Sequence, residues 1–264
     1  MKIIFSNLNM SRFKEFDEEH LKITNEMAKL SNFLVQEFGY ETCFYGDKHS
    51  LNFFSNINYS EFNELNDERV NEIPHKIWSI GKLFSMLKPN EPFIHLDYDI
   101  FLFKNFDKDF LNKDIVYYHK ELYMDSKLEE YQSFFELSPV KTQSFVKRSY
   151  NCGLIGGRNF KMLQKICEEI LSFIINNKKE ISIKLNSAEN LNFPKYLPSV
   201  LIEQVWIFQL LKHYKQISTP YILNTDLDLI PKESYLKNIC HIQGSQSKKL
   251  VIKNILSMNK YLGI

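Results

Sequence analysis

Apolar positions fall in short runs at the start and middle of the chain and at helical spacing between them. Lys2 to Ser6 carries the first run and reads as a buried strand. From Phe16 to Phe38 the apolar residues Leu21, Ile23, Met27, Leu30, Phe33, Leu34 and Phe38 recur at helical spacing, and Gly39 is the natural stop. Glu41 to Tyr45 is a second strand, ended by Gly46-Asp47. Residues 48–73 are polar and Asn-rich and read as a loop. Ile73 to Leu87 reads as a helix with Ile77, Ile80, Phe84 and Leu87 on its apolar side. Phe93, Ile94 and Leu96 then form a strand-like run, and Ile100 to Phe103 a second one. Asp114 to Tyr118 reads as a strand, and the aromatic-rich stretch 119–148 as helix and loop. Cys152 to Ile155 is a strand ending in a Gly156-Gly157 turn before a helix over 159–176. Residues 177–198 read as a loop. Ser199 caps a helix from Val200 to Tyr214, a strand follows around Tyr221 to Leu223, and Leu250 to Tyr261 is a closing helix. Strand, helix, strand at the start of such a chain predicts an α/β class.

The candidate chemistry sits between the two central runs. Asp97 and Asp99 flank Tyr98, and in extended backbone positions two apart share a side. The pair would face one space while Tyr98 turns away. Two converging carboxylates repel unless a cation lies between them, and hard divalent ions suit oxygen ligands. Two further Asp-x-Asp pairs exist, Asp107/Asp109 in a charged, turn-like stretch and Asp226/Asp228 after a possible strand. Only the first pair is framed by apolar runs on both sides. The competing reading is a strand end with two solvated acids.

Other residues carry weaker signals. Trp78 and Lys82 are four apart and share a helix face; Lys82 either meets a phosphate or sugar hydroxyl or is a surface lysine with its stem over Trp78. Asn151 and Gly153 lie in a Gly-rich stretch that either approaches a ligand or only makes a turn. Glu203 and Gln204 stand near the start of an apolar helix, where an acid commonly serves the helix terminus. His241 precedes Gly244 by three positions.

Composition narrows the class. The chain has 264 residues, 44% of them hydrophobic and 14% aromatic, enough for one sizeable core. Its 33 basic and 32 acidic residues leave a net charge of +1, which argues against nucleic-acid binding. The four cysteines form no Cys-x-x-Cys pair, so zinc is not expected, and their scatter suits a reducing cytoplasm. No apolar run is long enough for a leader or a transmembrane anchor, which leaves room for peripheral membrane contact only. There is no Gly-x-Gly-x-x-Gly and no phosphate loop after the first strand, so dehydrogenases and P-loop enzymes are poor candidates.

The order of these pieces resembles the GT-A fold glycosyltransferases, of the family 8 type and related uncharacterised bacterial families. The resemblance is carried by the opening strand-helix-strand, the helix with a polar face, LDYDIFL around Asp97 and Asp99, Asn151-Cys152-Gly153, Glu203-Gln204 and His241 to Gly244. It implies a single GT-A-type domain over 1–264, with a Rossmann-like mixed sheet flanked by helices. Residues 1–106 would be the nucleotide-binding half, and 107–264 the acceptor half with a C-terminal metal and diphosphate segment. It further implies a nucleotide-sugar donor, first among them a UDP-sugar, a glycan or other hydroxyl acceptor, and Mn2+ or Mg2+. Asp97, Asp99 and His241 would hold the metal. Lys82, Asp97, Asn151, Gly153, Gly244 and Lys248 would bind the donor, and Asn151 and Gln204 would lie near the reacting carbon. Ser247 stands where the family pattern has its lysine, with Lys248 one position later. Retention is the favoured stereochemistry; with inversion, Glu203 would take the acceptor proton. A role in bacterial surface polysaccharide synthesis would follow. A sugar-nucleotidyltransferase of similar fold would want a basic, Gly-rich loop that Ser6 to Arg12 does not supply. A non-catalytic glycan- or partner-binding domain is the alternative from another class.

Overall fold

The computed structural model describes residues 1–8, 18–122, 126–141, 148–222 and 239–241, with only the backbone of 20, 122 and 239–241. Strand β1 (Lys2–Asn7) has both faces covered: Ile4 belongs to one core cluster, and Ile3 and Phe5 to another. That division follows from the alternation of side chains along a strand, and it makes β1 the middle of a layered structure. Helix α1 (Glu18–Glu37) ends where expected. Gly39 adopts φ +80° and donates its N–H to the Gln36 carbonyl, a left-handed stop that side-chain-bearing residues disfavour. Strand β2 (Thr42–Gly46) is buried throughout.

The polar stretch 48–73 is not the expected loop. It holds helix α2 (Lys48–Phe53), whose Asp47 cap accepts from the Ser50 N–H, strand β3 (Glu61–Glu64), and a 3₁₀ turn, Glu68–Glu72. Strand β3 is the sheet edge and has three of its four side chains exposed, so it carries no apolar signature. Helix α3 (Ile80–Met86) is shorter than predicted and every residue in it is buried. Strands β4 (Phe93–Leu96) and β5 (Ile100–Leu102) follow, then helix α4 (Lys108–Leu111). Strand β6 (Ile115–Leu122) runs beyond its predicted end, and helix α5 (Ser126–Phe135) comes after it.

Strand β7 (Arg148–Gly157) is more than twice the expected length and takes in the Gly156-Gly157 pair expected as a turn, with helix α6 (Phe160–Asn176) behind it. The glycines at its end are there for packing. A Cβ on Gly156 would stand 2.2 Å from the Phe93 carbonyl oxygen, inside the β4–β7 ladder. Helix α7 (Lys178–Asn190) replaces the loop expected over 177–198, with Ile181, Leu185 and Ala188 on its buried side. The next helical stretch begins earlier than Val200. It comprises α8 (Leu197–Val200), a π-helical turn (Leu201–Trp206) and α9 (Ile207–His213). Ser199 therefore lies inside α8 and caps nothing; its Oγ accepts from the N–H groups of Trp78 and Ser79. Strand β8 is Ser218–Pro220, just before the stretch expected, and β9 is Ile239–His241. The predicted helix over 250–261 and the Asp226/Asp228 pair lie outside the described residues.

The expected mixed sheet flanked by helices is observed, in the order β3-β2-β1-β4-β7-β6-β8. Strands β3, β2, β1 and β4 are parallel, β7 is antiparallel to β4 and β6, and β8 runs parallel to β6. Residues on both sides of position 106 thus build one layer. From β1 the chain steps outward to β2 and β3, then returns to β4 on the opposite side of β1. In α/β sheets a crevice opens at such a reversal, at the carboxyl ends of the two strands. A small antiparallel sheet pairs β5 with β9, matching Ile100 to His241. No helix among the described residues is long and apolar enough to cross a membrane.

Candidate functional site

A cleft of about 180 Å³ opens at that reversal. Ser6, Asn7 and Leu8 at the end of β1 form one wall, and Trp78, Ser79, Gly81 and Lys82 around the start of α3 form another. Asp97, Tyr98 and Asp99 after β4 line it too, with Glu203 from the π turn. Gly81 lets α3 close on β1: a Cβ there would lie 3.0 Å from the Leu8 nitrogen.

The acidic pair reaches the cleft by a different route from the one its spacing suggested. Strand β4 ends at Leu96, and Asp97 to Asp99 form a turn in which the Ile100 N–H bonds the Asp97 carbonyl at 3.0 Å. Tyr98 borders the same cleft, while its ring packs against Phe54 and the buried clusters beside the turn. The Asp97 N–H donates to the Gly153 carbonyl at 2.8 Å, so β7 extends the β4 ladder by one bond and fixes the turn.

Lys82 is the centre of the site. Its ammonium lies 2.8 Å from Asp97 Oδ1 and 3.0 Å from Oδ2, donates to the Cys152 carbonyl at 2.9 Å, and bonds Glu203 Oε1. It is not a surface lysine; Lys82 and Glu203 side chains are each 6% exposed. A buried ammonium is tolerated only with such partners. Burial works to lower the Lys82 pKa, but the charges of Asp97 and then Glu203 outweigh it, and the net shift is upward. Burial pushes Asp97 up to about 7 against the pull of Lys82, with Glu203 and Asp99 adding to the rise. Its side chain nevertheless remains 32% exposed towards the cleft.

Beside this cluster, Ser6 Oγ and His95 Nε2 are 2.8 Å apart, and His95 Nδ1 lies 3.8 Å from Asp97 Oδ1 with no hydrogen-bond partner. Burial, reinforced by Lys82, keeps His95 neutral. The free thiols Cys43, Cys152 and Cys167 are buried, and burial raises all three pKa values, so none is a ready nucleophile.

Lys82, Asp97, Asp99 and Glu203 are therefore brought together. Gly153 supports the Asp97 turn from behind. Asn151 and Gln204 do not line the cleft. The Asn151 amide is buried and engaged: its Nδ2 donates to Glu121 at 2.6 Å and its Oδ1 accepts from Gly153 N–H at 3.0 Å. Gly244, Lys248 and the His241 side chain lie outside the described residues. The His241 backbone pairs with Ile100, the residue after Asp99. Among the described residues no group of three or more His, Cys, Asp and Glu is placed to hold a metal. Sequence reasoning missed Ser6, Asn7 and His95, and named Trp78 only as a neighbour of Lys82. The rule that ligands gather at the carboxyl ends of strands beside a reversal points to Ser6 and Asn7, and strand alternation places His95 on the side of Asp97.

Solved structures with similar architecture include three transferases. A glycosyltransferase involved in glycosylation of the major capsid of PBCV-1 aligns at 13% identity and a TM-score of 0.46, covering 97% of this chain and 100% of that one. The galactosyltransferase LgtC, solved with donor and acceptor sugar analogs, aligns at 10% identity and a TM-score of 0.48, covering 99% and 96%. Mouse xyloside xylosyltransferase 1 in its apo form aligns at 11% identity and a TM-score of 0.45, covering 92% and 97%. Likenesses of this degree assign neither activity nor substrate. No curated protein matches the chain significantly. Membership is clearer at the level of sequence: residues 25–261 match the profile of a family of unknown function, DUF6734, and the chain belongs to that family.

Proposed function

We propose that the protein is a metal-dependent glycosyltransferase that moves a hexose from a nucleoside diphosphate sugar, first a UDP-sugar, to a glycan or other hydroxyl acceptor. The observation that carries this reading is the Asp97-Tyr98-Asp99 turn, set in the reversal cleft beside Lys82 and Glu203. The pairing of β5 with β9 supports it, because it brings the His241 backbone next to a motif far away in sequence. The order of sequence motifs supports it independently.

The donor set fits a hard divalent ion in part. Asp97 and Asp99 offer carboxylate oxygens on one cleft, and His241 is the third ligand in this reading. Mn2+ or Mg2+ held there would neutralise charge that builds on the diphosphate as the glycosidic bond breaks. Lys82 orients the Asp97 carboxylate from within the protein and balances its charge. Both Asp97 oxygens face Lys82, so Asp99 is the principal metal ligand in this reading. Ser6 and Asn7 meet the nucleotide at the end of β1. Glu203 is committed to Lys82 and is poorly disposed to take a proton from an acceptor. That favours retention, with the acceptor entering on the leaving-group side. Asn151 and Gln204, outside the cleft lining, are not direct donor contacts in this reading; Gly244 and Lys248 are proposed ones, and a cytoplasmic enzyme of surface polysaccharide synthesis is the setting that suits this chemistry.

The test is release of nucleoside diphosphate from a panel of nucleotide sugars with Mn2+, Mg2+ or chelator. Metal-dependent release from at least one donor, lost in Asp99→Asn, is the expected result. Metal-independent turnover, or consumption of a nucleoside triphosphate with a sugar phosphate, would contradict the reading; the latter would identify a nucleotidyltransferase.

A further inference from the structure

One apolar group in the cleft is out of keeping with its surroundings. Trp78 lies between Ile77 and Ser79, which are 0% and 3% exposed, yet it is itself 55% exposed. Its backbone is fixed. The Trp78 and Ser79 N–H groups both donate to Ser199 Oγ, at 3.1 and 3.3 Å, and Ser199 is fully buried. One helical turn later Gly81 seats the same segment on Leu8. The exposure thus belongs to the indole side chain, which lines the cleft from a fixed backbone. The chain's only other tryptophan, Trp206, is fully buried.

Around this ring the cleft is lined with Asp97, Asp99, Glu203, Lys82 and Ser6. A lone exposed aromatic needs no explanation on an open surface, but here it lines, with Leu8 and Tyr98, a carboxylate-rich cleft. The matching ligand has one flat apolar face and a rim of hydroxyl donors. A pyranose ring has that shape: its C–H face packs on an aromatic face, whose π-cloud is electron-rich, while its hydroxyls donate to carboxylates. Trp supplies such area at small cost in conformational entropy because it has only two side-chain torsions.

We infer that Trp78 is the stacking platform for a pyranose ring in the cleft and determines its specificity for sugar ligands. This rests on the proposed glycosyltransferase reading, and the ring comes either from the donor or from the acceptor.

Trp78 emission is the readout, compared between wild type and Trp78→Phe in Mg2+, while calorimetry follows binding separately. The probes are UDP, UDP-glucose, UDP-galactose, and methyl glucoside and galactoside with maltose and lactose, each in the presence of UDP. If the ring belongs to the donor, the UDP-sugars change the emission beyond UDP alone. If it belongs to the acceptor, a glycoside changes it once UDP is bound. In either case the change disappears in Trp78→Phe, and Trp78→Ala weakens the responding sugar by about five- to tenfold while Phe retains most of the affinity. Binding of UDP-sugars by calorimetry with no sugar-specific emission change and no effect of Trp78→Ala would overturn the inference and leave the transferase reading intact. A full response to UDP alone would make Trp78 a nucleobase contact and also overturn it. A Trp78-dependent glycoside response without binding of any nucleotide would overturn the transferase reading and leave this inference standing.

Discussion

The chain contains the same spacing of acids at two neighbouring places in the described structure, with opposite surroundings. Asp107 and Asp109 flank the start of α4, and both are exposed. The Asp107 side chain is 78% exposed, and its nearest cation, Lys104, is 4.0 Å away and 58% exposed. Asp97 and Asp99 sit half-buried at the end of β4, in a cleft with an ammonium that is 6% exposed. Spacing alone is therefore uninformative. What separates the pairs is whether the preceding strand ends at a reversal of the sheet, and whether another element delivers a countercharge. In water, charges at 4.0 Å interact by about 1 kcal/mol before entropy and salt reduce it; in a buried cluster each unpaired charge would cost several times more.

The largest expected difference is in turnover. Asp99→Asn should lower metal-dependent glycosyl transfer on the order of a hundredfold to a thousandfold with the fold retained, whereas Asp107→Asn should leave it unchanged. Steady-state kinetics and circular dichroism on both variants decide this, and equal losses would erase the distinction. Next comes stability. Lys82→Met strands two carboxylates around an apolar group and should cost about 3 kcal/mol in urea unfolding. Lys104→Ala should stay within about 0.5 kcal/mol. A mild Lys82→Met would mean that the cluster is not held by charge.

A smaller effect concerns pH. The folded chain keeps the Asp97 proton up to about 7, while an unfolded Asp ionises near its usual value of about 3.9. Between those values the folded state binds more protons, so this contribution to stability is present at low pH and fades as pH rises through about 7. In chelator, the melting temperature of wild type should fall over that window relative to Asp97→Asn. With Mn2+ the trend should reverse, because binding releases the proton. Parallel curves for the two proteins would place the titration elsewhere.

The frame of this arrangement was readable from sequence where burial imposes a period. Strands β1, β2 and β4, and helices α1 and α6, follow apolar patterns, and α1 stops before Gly39; the turn expected at Gly156-Gly157 is instead the paired end of β7. Strand β3 was hidden because Glu61 to Glu64 contributes backbone hydrogen bonds at a sheet edge and almost no buried side chain. Helix α7 was obscured because its buried stripe of Ile181, Leu185 and Ala188 is outnumbered by polar residues. At the site, apolar framing distinguishes the half-buried Asp97/Asp99 from the exposed Asp107/Asp109. The role of Lys82 was not legible, since a buried lysine looks like a surface one until Asp97 and Glu203 are brought to it from distant segments. Ser199 misled for a similar reason: it matches a helix cap, but its hydroxyl is used by another segment.

Glycosyl transfer by this site requires that the Asp97/Asp99 turn bind a cation together with a diphosphate. Calorimetric titration of UDP into wild type and Asp99→Asn, with Mn2+ and with chelator, measures this directly. Tight binding to wild type only when Mn2+ is present, weakened at least tenfold in Asp99→Asn, is the predicted result. Equal binding with and without metal, or equal binding by the two proteins, would contradict it.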